Sequence, residues 1–142
     1  RWADMDPNFH LRHDVYYGLG AQARVETLLL SGITPQVMQS AHFGPILFRE
    51  ECVFRREMRL GDKVDIHVRL SKARPDGSRW SFRQEFVRGD GTLCAVLTVD
   101  GAWMDTQLRK LTVPPQEFMT RFLAIPHTED FELLAPSAPK AG

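Results

Sequence analysis

The spacing of apolar and polar residues predicts one helix followed by a series of strands. From His13 to Ser31 apolar residues recur at helical spacing, and Gly32 provides a stop signal. The front half of this helix is rich in glycine and alanine, and two glycines together cost a helix about 1–2 kcal/mol. We therefore expect this half to pack closely against another surface, which would offset that cost.

Beyond a loop at residues 34–42 the period changes from helical to two. Alternating or continuous apolar residues predict four strands, at residues 45–59, 63–72, 79–87 and 93–104. The turns between them contain the pairs and runs GD, RPDGS and RGDGT, in which Pro fixes φ and Gly tolerates a positive φ. We expect these strands to form an antiparallel meander, with an extra edge strand around Arg1–Asp4.

These elements together predict an α+β fold in which an antiparallel sheet wraps one long central helix. The helix requires this cover because no other element of the sequence is able to bury its leucine-rich half. Residues 1–125, which end in a short helix, are expected to form a single domain. Residues 126–142 are rich in Pro, Ala and Ser and are predicted to be a flexible tail.

Composition narrows the class of protein. The 142 residues fit one domain, with 43% hydrophobic and 25% charged residues. Eighteen basic residues balance eighteen acidic ones, which disfavours a nucleic acid or an anionic membrane as partner. Cys52 and Cys94 lie in apolar segments and are predicted to be buried free thiols of a reducing compartment. We expect a cytoplasmic protein that binds neither nucleic acid nor membrane.

The stretch DMDPNFHLRHD, residues 4–14, concentrates acidic residues and histidines before the helix. It is not a calcium loop, because Phe9 stands where such a loop needs Gly and Val15 where it needs Glu. Zinc binding by His10 and His13 has no supporting motif, so no metal or cofactor is predicted. The simplest interpretation is a structural loop in which the negative charge of Asp14 interacts favourably with the positive, N-terminal end of the helix dipole.

Four residues of this stretch and the following helix, Asp4, Asp6, His10 and Tyr16, match the motif D-x-D-x-x-G-H-x-N-N-x-x-Y. Later segments match in the same order, namely VFRREMRLGDKVDIHVRL, DGTLCAVLTVDGAWMD and RKLTVPPQEF. Over about residues 1–118 the chain thus resembles the hotdog-fold acyl-CoA thioesterases of the 4-hydroxybenzoyl-CoA thioesterase type. It departs from them at Phe9, in place of Gly, and at Arg12-His13, in place of the Asn pair.

The resemblance implies hydrolysis of an acyl-CoA or acyl-carrier-protein thioester. Asp6 would be the catalytic carboxylate, either as nucleophile or as general base. The backbone N–H of His13 would polarise the thioester carbonyl, and His10 would assist the leaving thiolate or hold the loop. Asp4 and Tyr16 are expected to have structural roles.

The resemblance also implies where coenzyme A and a second subunit would bind. The CoA phosphates would meet basic residues near the second hairpin, namely Arg79, Lys72 and Arg74. The run Arg55–Arg59 is instead interpreted as the polar face of an exposed strand. A homodimer or homotetramer is expected, with its sites at the subunit interface. Two alternatives stay open: a hotdog protein that binds an acyl ligand without catalysis, and a hotdog hydratase or dehydratase.

Overall fold

The computed structural model describes Met5, residues 14–59 and residues 61–136. Within these ranges three helices and one sheet of six strands are mixed, which confirms the predicted combination of α and β structure. The elements in chain order are α1 (Val15–Leu30), α2 (Pro35–Ala41), β1 (Phe43–Phe54), β2 (Val64–Ala73), β3 (Arg79–Arg88), β4 (Leu93–Asp105), β5 (Lys110–Leu111), α3 (Gln116–Leu123) and β6 (His127–Leu133).

Helix α1 lies within two residues of its predicted bounds and packs on the sheet as its composition indicated. Gly20 faces the sheet, where an added Cβ would overlap the side chain of Leu97. Gly18, on the exposed side, has no neighbour of this kind within 4 Å among the described residues. The glycine at position 20 is therefore what allows the helix to approach the sheet closely.

The order of the strands differs from the predicted meander. The sheet runs β1-β4-β3-β2-β6, and β5 pairs with β4. Strand β1 pairs with β4 along its whole length, from Phe43 opposite Asp105 to Phe54 opposite Ala95. The prediction that β1 pairs with β2 was wrong, because residues between Phe54 and Val64 form a crossing segment rather than a tight hairpin.

The first strand is also shorter than predicted, since it ends at Phe54 and not at residue 59. The backbone N–H groups of Arg55 and Arg56 both donate to the carbonyl of Cys94, at 2.8 and 3.1 Å. Two consecutive donors on one acceptor break the alternation of an antiparallel ladder. Met58 is then buried, with 2% of its surface exposed. The run Arg55–Arg59 is thus an irregular segment and not the face of a strand.

The sheet includes residues that the sequence assigned to a flexible tail. Strand β6 runs parallel to β2, whereas the other pairs are antiparallel as predicted. Arg83 donates two hydrogen bonds, each of 3.0 Å, to the carboxylate of Asp130. The expectation of a mobile segment beginning at residue 126 was therefore wrong for β6. The division into one domain of residues 1–125 and a tail stays a prediction.

Two further expectations concern the regions around the first helix. The loop predicted at residues 34–42 contains α2, which Thr34 caps by accepting a 3.1 Å hydrogen bond from the N–H of Val37. The Thr-Pro pair at its start is a typical signal for a helix start. The edge strand predicted around Arg1–Asp4 lies outside the described residues. None of the described helices is long and apolar enough to cross a membrane.

Candidate functional site

The three predicted catalytic residues, Asp6, His10 and His13, lie outside the described residues, as does Asp4. The structure describes the element that follows them directly, the start of α1. Asp14 occupies the N-cap position, and its side chain makes no hydrogen bond to the N–H groups of the first turn. A helix start offers unpaired N–H groups and a partial positive charge, which is the chemistry that the predicted oxyanion donor requires.

The start of α1 is fixed against one end of the sheet. Tyr16 is 2% exposed, and its ring lies 5.0 Å from that of Phe54 and 5.2 Å from that of Phe86. Burial, with smaller contributions from Cys94, Cys52 and Glu57, raises the pKa of the Tyr16 phenol to about 12. Tyr16 is therefore a neutral packing residue, as predicted, and it holds the helix start at the ends of β1 and β3.

The three predicted CoA contacts lie together in one groove of about 380 Å³ at the tip of the β2–β3 hairpin. We call it the hairpin groove; the residues concerned are Lys72, Arg74 and Arg79. The guanidinium of Arg79 lies 4.5 Å above the ring of Phe48. Lys72 Nζ is 3.9 Å from the carboxylate of Glu132. The three cations are thus neighbours in the structure, and their role in binding stays a prediction.

The hairpin groove is far from the start of α1 within one chain. Trp80 and Gly101 line the groove and are paired in the ladder between β3 and β4. Phe86, which contacts the helix start, is six residues further along β3, or roughly 20 Å at the rise of a strand. The start of α1 and the hairpin cations of the same chain are therefore at opposite ends of the sheet.

A buried polar network joins α1 to the sheet, and the sequence analysis missed it. Gln84 is fully buried; its amide donates to the carbonyl of Gly20 at 2.8 Å and accepts from Arg24 Nη1 at 2.6 Å. Burial lowers the pKa of the Arg24 guanidinium, while Glu50, 3.9 Å away, partly opposes this. The only signal was Gln84 itself, a polar residue among the inward-facing aromatic positions of β3.

The cysteines have no catalytic character. Cys52 and Cys94 are both free thiols, as predicted; Cys94 is buried, whereas Cys52 is only half-buried. Burial raises the pKa of the Cys52 thiol to about 11, and burial is also the main cause of the raised pKa of Cys94. Both thiols are protonated near neutral pH and are therefore poor nucleophiles. Among the described residues no group of three or more potential ligands is placed to hold a metal ion.

A second cavity, of about 810 Å³, lies between the latter half of α1, β2 and α3. Its lining is mainly apolar, with Ile66 and Val68 from the sheet, and its ionisable members are Glu26 and Arg121. It borders the C-terminal half of α1, whereas the predicted catalytic residues precede that helix in the sequence.

Solved structures share this fold. A hypothetical protein of Staphylococcus aureus, determined in complex with CoA, has a TM-score of 0.81 and 16% identity, over 97% of this chain and 84% of that one. A hypothetical protein of Thermus thermophilus has a TM-score of 0.77 and 21% identity, over 88% and 93%. A 1,4-dihydroxy-2-naphthoyl-CoA thioesterase of Synechocystis has a TM-score of 0.74 and 17% identity, over 86% and 89%.

The sequence itself identifies the family. No curated protein sequence matches the chain. The model of the thioesterase-like superfamily, however, matches residues 1–122, which include the predicted catalytic stretch, α1 and the sheet as far as β5. The match confirms the resemblance stated above and agrees with the shared fold: the chain belongs to the thioesterase-like superfamily.

Proposed function

We propose that this protein hydrolyses the thioester of an acyl-CoA or an acyl-carrier protein, releasing a free acid and a thiol. The observation that carries the proposal is the family match over residues 1–122, which spans both the D-x-D stretch and the helix that follows it. The Synechocystis protein of the same fold is a CoA thioesterase, and the S. aureus protein was determined in complex with CoA. Both support CoA as the thiol.

The proposed chemistry uses one carboxylate and one backbone donor. As a general base, Asp6 takes a proton from water, the water oxygen attacks the thioester carbonyl, the C–S bond breaks and the thiolate is protonated. As a nucleophile, Asp6 attacks the thioester carbonyl, the C–S bond breaks and the thiolate leaves and is protonated; water then hydrolyses the mixed anhydride to the free acid and the Asp6 carboxylate. In both routes the N–H of His13 stabilises the oxyanion. His10 either assists the leaving thiolate or holds the loop in place.

Two features of the structure support this arrangement. The helix α1 begins at Val15, directly after the stretch that supplies Asp6 and His13. We propose that it is the central helix of a hotdog fold, which the sheet wraps. The anchoring of Tyr16 between Phe54 and Phe86 would keep the helix start in a fixed position, as an oxyanion donor requires.

We also propose that two copies associate through β1, so that each site forms between subunits. Strand β1 is at the edge of the sheet, with β4 as its neighbour. Four large apolar side chains on it are exposed by 38–49%: Leu47, Phe48, Val53 and Phe54. A long apolar edge strand is normally covered in a native protein. Across such an interface, the hairpin cations Lys72, Arg74 and Arg79 would reach the substrate of the partner subunit, where they would contact CoA phosphates.

The test is thiol release from short-chain, long-chain and aromatic acyl-CoAs by the wild type, Asp6→Asn and Asp4→Asn. Asp4→Asn is the matched control, since it makes the same chemical change two residues away. We expect Asp6→Asn to lose at least about a hundredfold in rate, equivalent to about 2.7 kcal/mol. Asp4→Asn is expected to stay within a few fold of the wild type.

The other outcomes separate the alternatives. Equal rates in the wild type and Asp6→Asn would remove Asp6 from the mechanism. A hydratase or dehydratase would change the acyl chain and leave the thioester intact, so that no thiol appears. Acyl-ligand binding without any turnover would indicate a binding protein.

A further inference from the structure

Four arginines surround a surface pocket of about 460 Å³ at the end of the sheet where β1 crosses to β2. We call it the arginine pocket; its basic members are Arg55, Arg56, Arg59 and Arg88. Glu57 and Asp62 also line it, so the described lining carries a net charge of +2. A concave surface with excess guanidinium groups is suited to a phosphate, which Arg binds with two parallel hydrogen bonds.

The backbone of this pocket is fixed although most of its side chains are exposed. The N–H groups of Arg55 and Arg56 donate to Cys94, which ties the segment to the start of β4. Arg59 and Asp62 bond reciprocally: the N–H of Arg59 donates to the Asp62 carboxylate at 2.6 Å, and the N–H of Asp62 to the Arg59 carbonyl at 3.0 Å. A rigid backbone reduces the entropy lost when an anion is bound.

Arg88 forms the inner wall of the pocket. Its Nη1 donates to the carbonyl of Glu57 at 3.1 Å, and its Nη2 lies 3.4 Å from the carboxylate of Asp90. Its Nε is buried, and no described residue accepts a hydrogen bond from it. The guanidinium is thus held in place from both sides, and Nη1 and Nη2 each keep one further hydrogen beyond these two contacts.

The arginine pocket is at the same end of the sheet as the start of α1. Arg55 follows Phe54, and Arg88 comes two residues after Phe86; both aromatic rings contact Tyr16 in the first turn of α1. The hairpin groove is at the other end, roughly 20 Å along β3. A thioester whose carbonyl lies at the helix start is therefore closer, within one chain, to the arginine pocket.

We infer that the arginine pocket binds a phosphate group on the pantetheine side of the thioester. This inference rests on the proposed thioesterase function and adds a second basic contact to the hairpin cations. The phosphate has two sources, the nucleotide end of CoA or the phosphodiester that links pantetheine to a carrier protein. Both present a singly or doubly charged phosphate to the same guanidinium groups.

The experiment compares the double variant Arg55→Ala/Arg59→Ala with the wild type on acyl-CoA, acyl-phosphopantetheine and acyl-pantetheine. The control, Arg69→Ala/Arg109→Ala, removes the same charge from outside the pocket. We expect the KM for acyl-CoA to rise about tenfold in the pocket variant, because solvent-exposed charge-assisted hydrogen bonds to the phosphate are lost. The KM for acyl-pantetheine, which lacks phosphate, should change less than about twofold. The kcat should be unchanged for every substrate.

The acyl-phosphopantetheine measurement identifies the source of the phosphate. A KM that rises as it does for acyl-CoA assigns the pocket to the phosphate next to pantetheine; an unchanged KM assigns it to the nucleotide phosphates. The inference is overturned if the pocket variant raises the KM for acyl-CoA and for acyl-pantetheine by the same factor. It is also overturned if the control variant raises the KM for acyl-CoA as much as the pocket variant does.

A binding measurement keeps the inference separate from the proposed function. Adenosine 3′,5′-bisphosphate is titrated calorimetrically into the wild type and the two double variants, with phosphopantetheine as second probe. Binding that weakens about tenfold in the pocket variant alone supports a phosphate site even if the protein hydrolyses no thioester. Binding of neither probe by the wild type, or equal binding by all three proteins, overturns the phosphate site even if thioesters are hydrolysed.

Discussion

Gly101 is the position where one added methyl group should damage the sheet most clearly. A Cβ on Gly101 would lie 2.7 Å from the carbonyl oxygen of Ile46 on β1 and would overlap the indole of Trp80. Neither neighbour moves easily. Ile46 belongs to the ladder with β4, and Trp80 is 3% exposed, with the rings of Trp103 and Phe122 each 5.8 Å away. Gly101→Ala therefore requires the strands to separate or the aromatic cluster to shift.

The expected loss follows from two opposing contributions. Overpacking of a rigid core costs about 1–3 kcal/mol. Replacing Gly by Ala in a strand recovers about 0.5–1 kcal/mol, because the unfolded chain has less conformational freedom to lose. We expect Gly101→Ala to lower the free energy of unfolding by about 1 kcal/mol. For a domain of this size that corresponds to a Tm lower by roughly 3–4 °C.

The matched control is Gly44→Ala, in the same ladder between β1 and β4. Among the described residues, a Cβ at Gly44 would meet only the methyl group of Thr106, at 3.7 Å, which is an ordinary contact. Gly44→Ala should be as stable as the wild type or slightly more so. Both variants are unfolded in urea at one fixed protein concentration, since association would add to the apparent stability. If they differ by less than about 0.5 kcal/mol, the packing argument for Gly101 is refuted.

Two further predictions concern β6 and the edge of the sheet. The hydrogen bonds from Arg83 lower the pKa of Asp130 to about 2, below the ordinary value of about 3.9, so their stabilising effect is present above about pH 4 and is lost as the pH falls towards 2. The Tm difference between the wild type and Asp130→Asn should therefore shrink over this interval; a constant difference would contradict it. Val53 lies on the exposed edge of β1, and Val53→Asp should shift the protein towards the monomer in analytical ultracentrifugation. The control is Val113→Asp: Val113 is 52% exposed but lies outside β1, so this change should leave the association state unaltered.

The periodicity of the sequence was sufficient to locate most elements but not to pair the strands. Alternation determines which side chains share a face, and it placed Trp80, Phe82, Gln84 and Phe86 together correctly. It carries no information about which strand is the neighbour, so β1 was assigned to β2 instead of β4. Strand β6 was missed because its sequence, HTEDFEL, has little apolar alternation. Its place in the sheet depends instead on pairing with β2 and on the ion pair with Arg83.

The candidate site was predictable only where a local motif exists. The D-x-D stretch is such a motif; α1 begins at Val15, after that stretch, and the roles of Asp6, His10 and His13 stay predictions. The arginine pocket has no motif, since Arg55 and Arg88 are far apart in the sequence and become neighbours only when β1 crosses to β2. For the same reason, the contact between Arg24 and Gln84 required a packed helix and sheet to be recognised.

The pairing of β1 with β4 has a consequence for how the chain folds during synthesis. A ribosome must add about 50 residues after Phe54 before the last residue of β4, Asp105, is made. At roughly 5–20 residues per second, the first strand waits about 3–10 s for its partner, with both edges open to other nascent chains. The charged residues in its middle, Arg49, Glu50 and Glu51, interrupt the apolar run and act as gatekeepers against aggregation in that interval. Replacing them with apolar residues should therefore reduce the yield of folded protein in cells more than it changes the stability of the protein once folded.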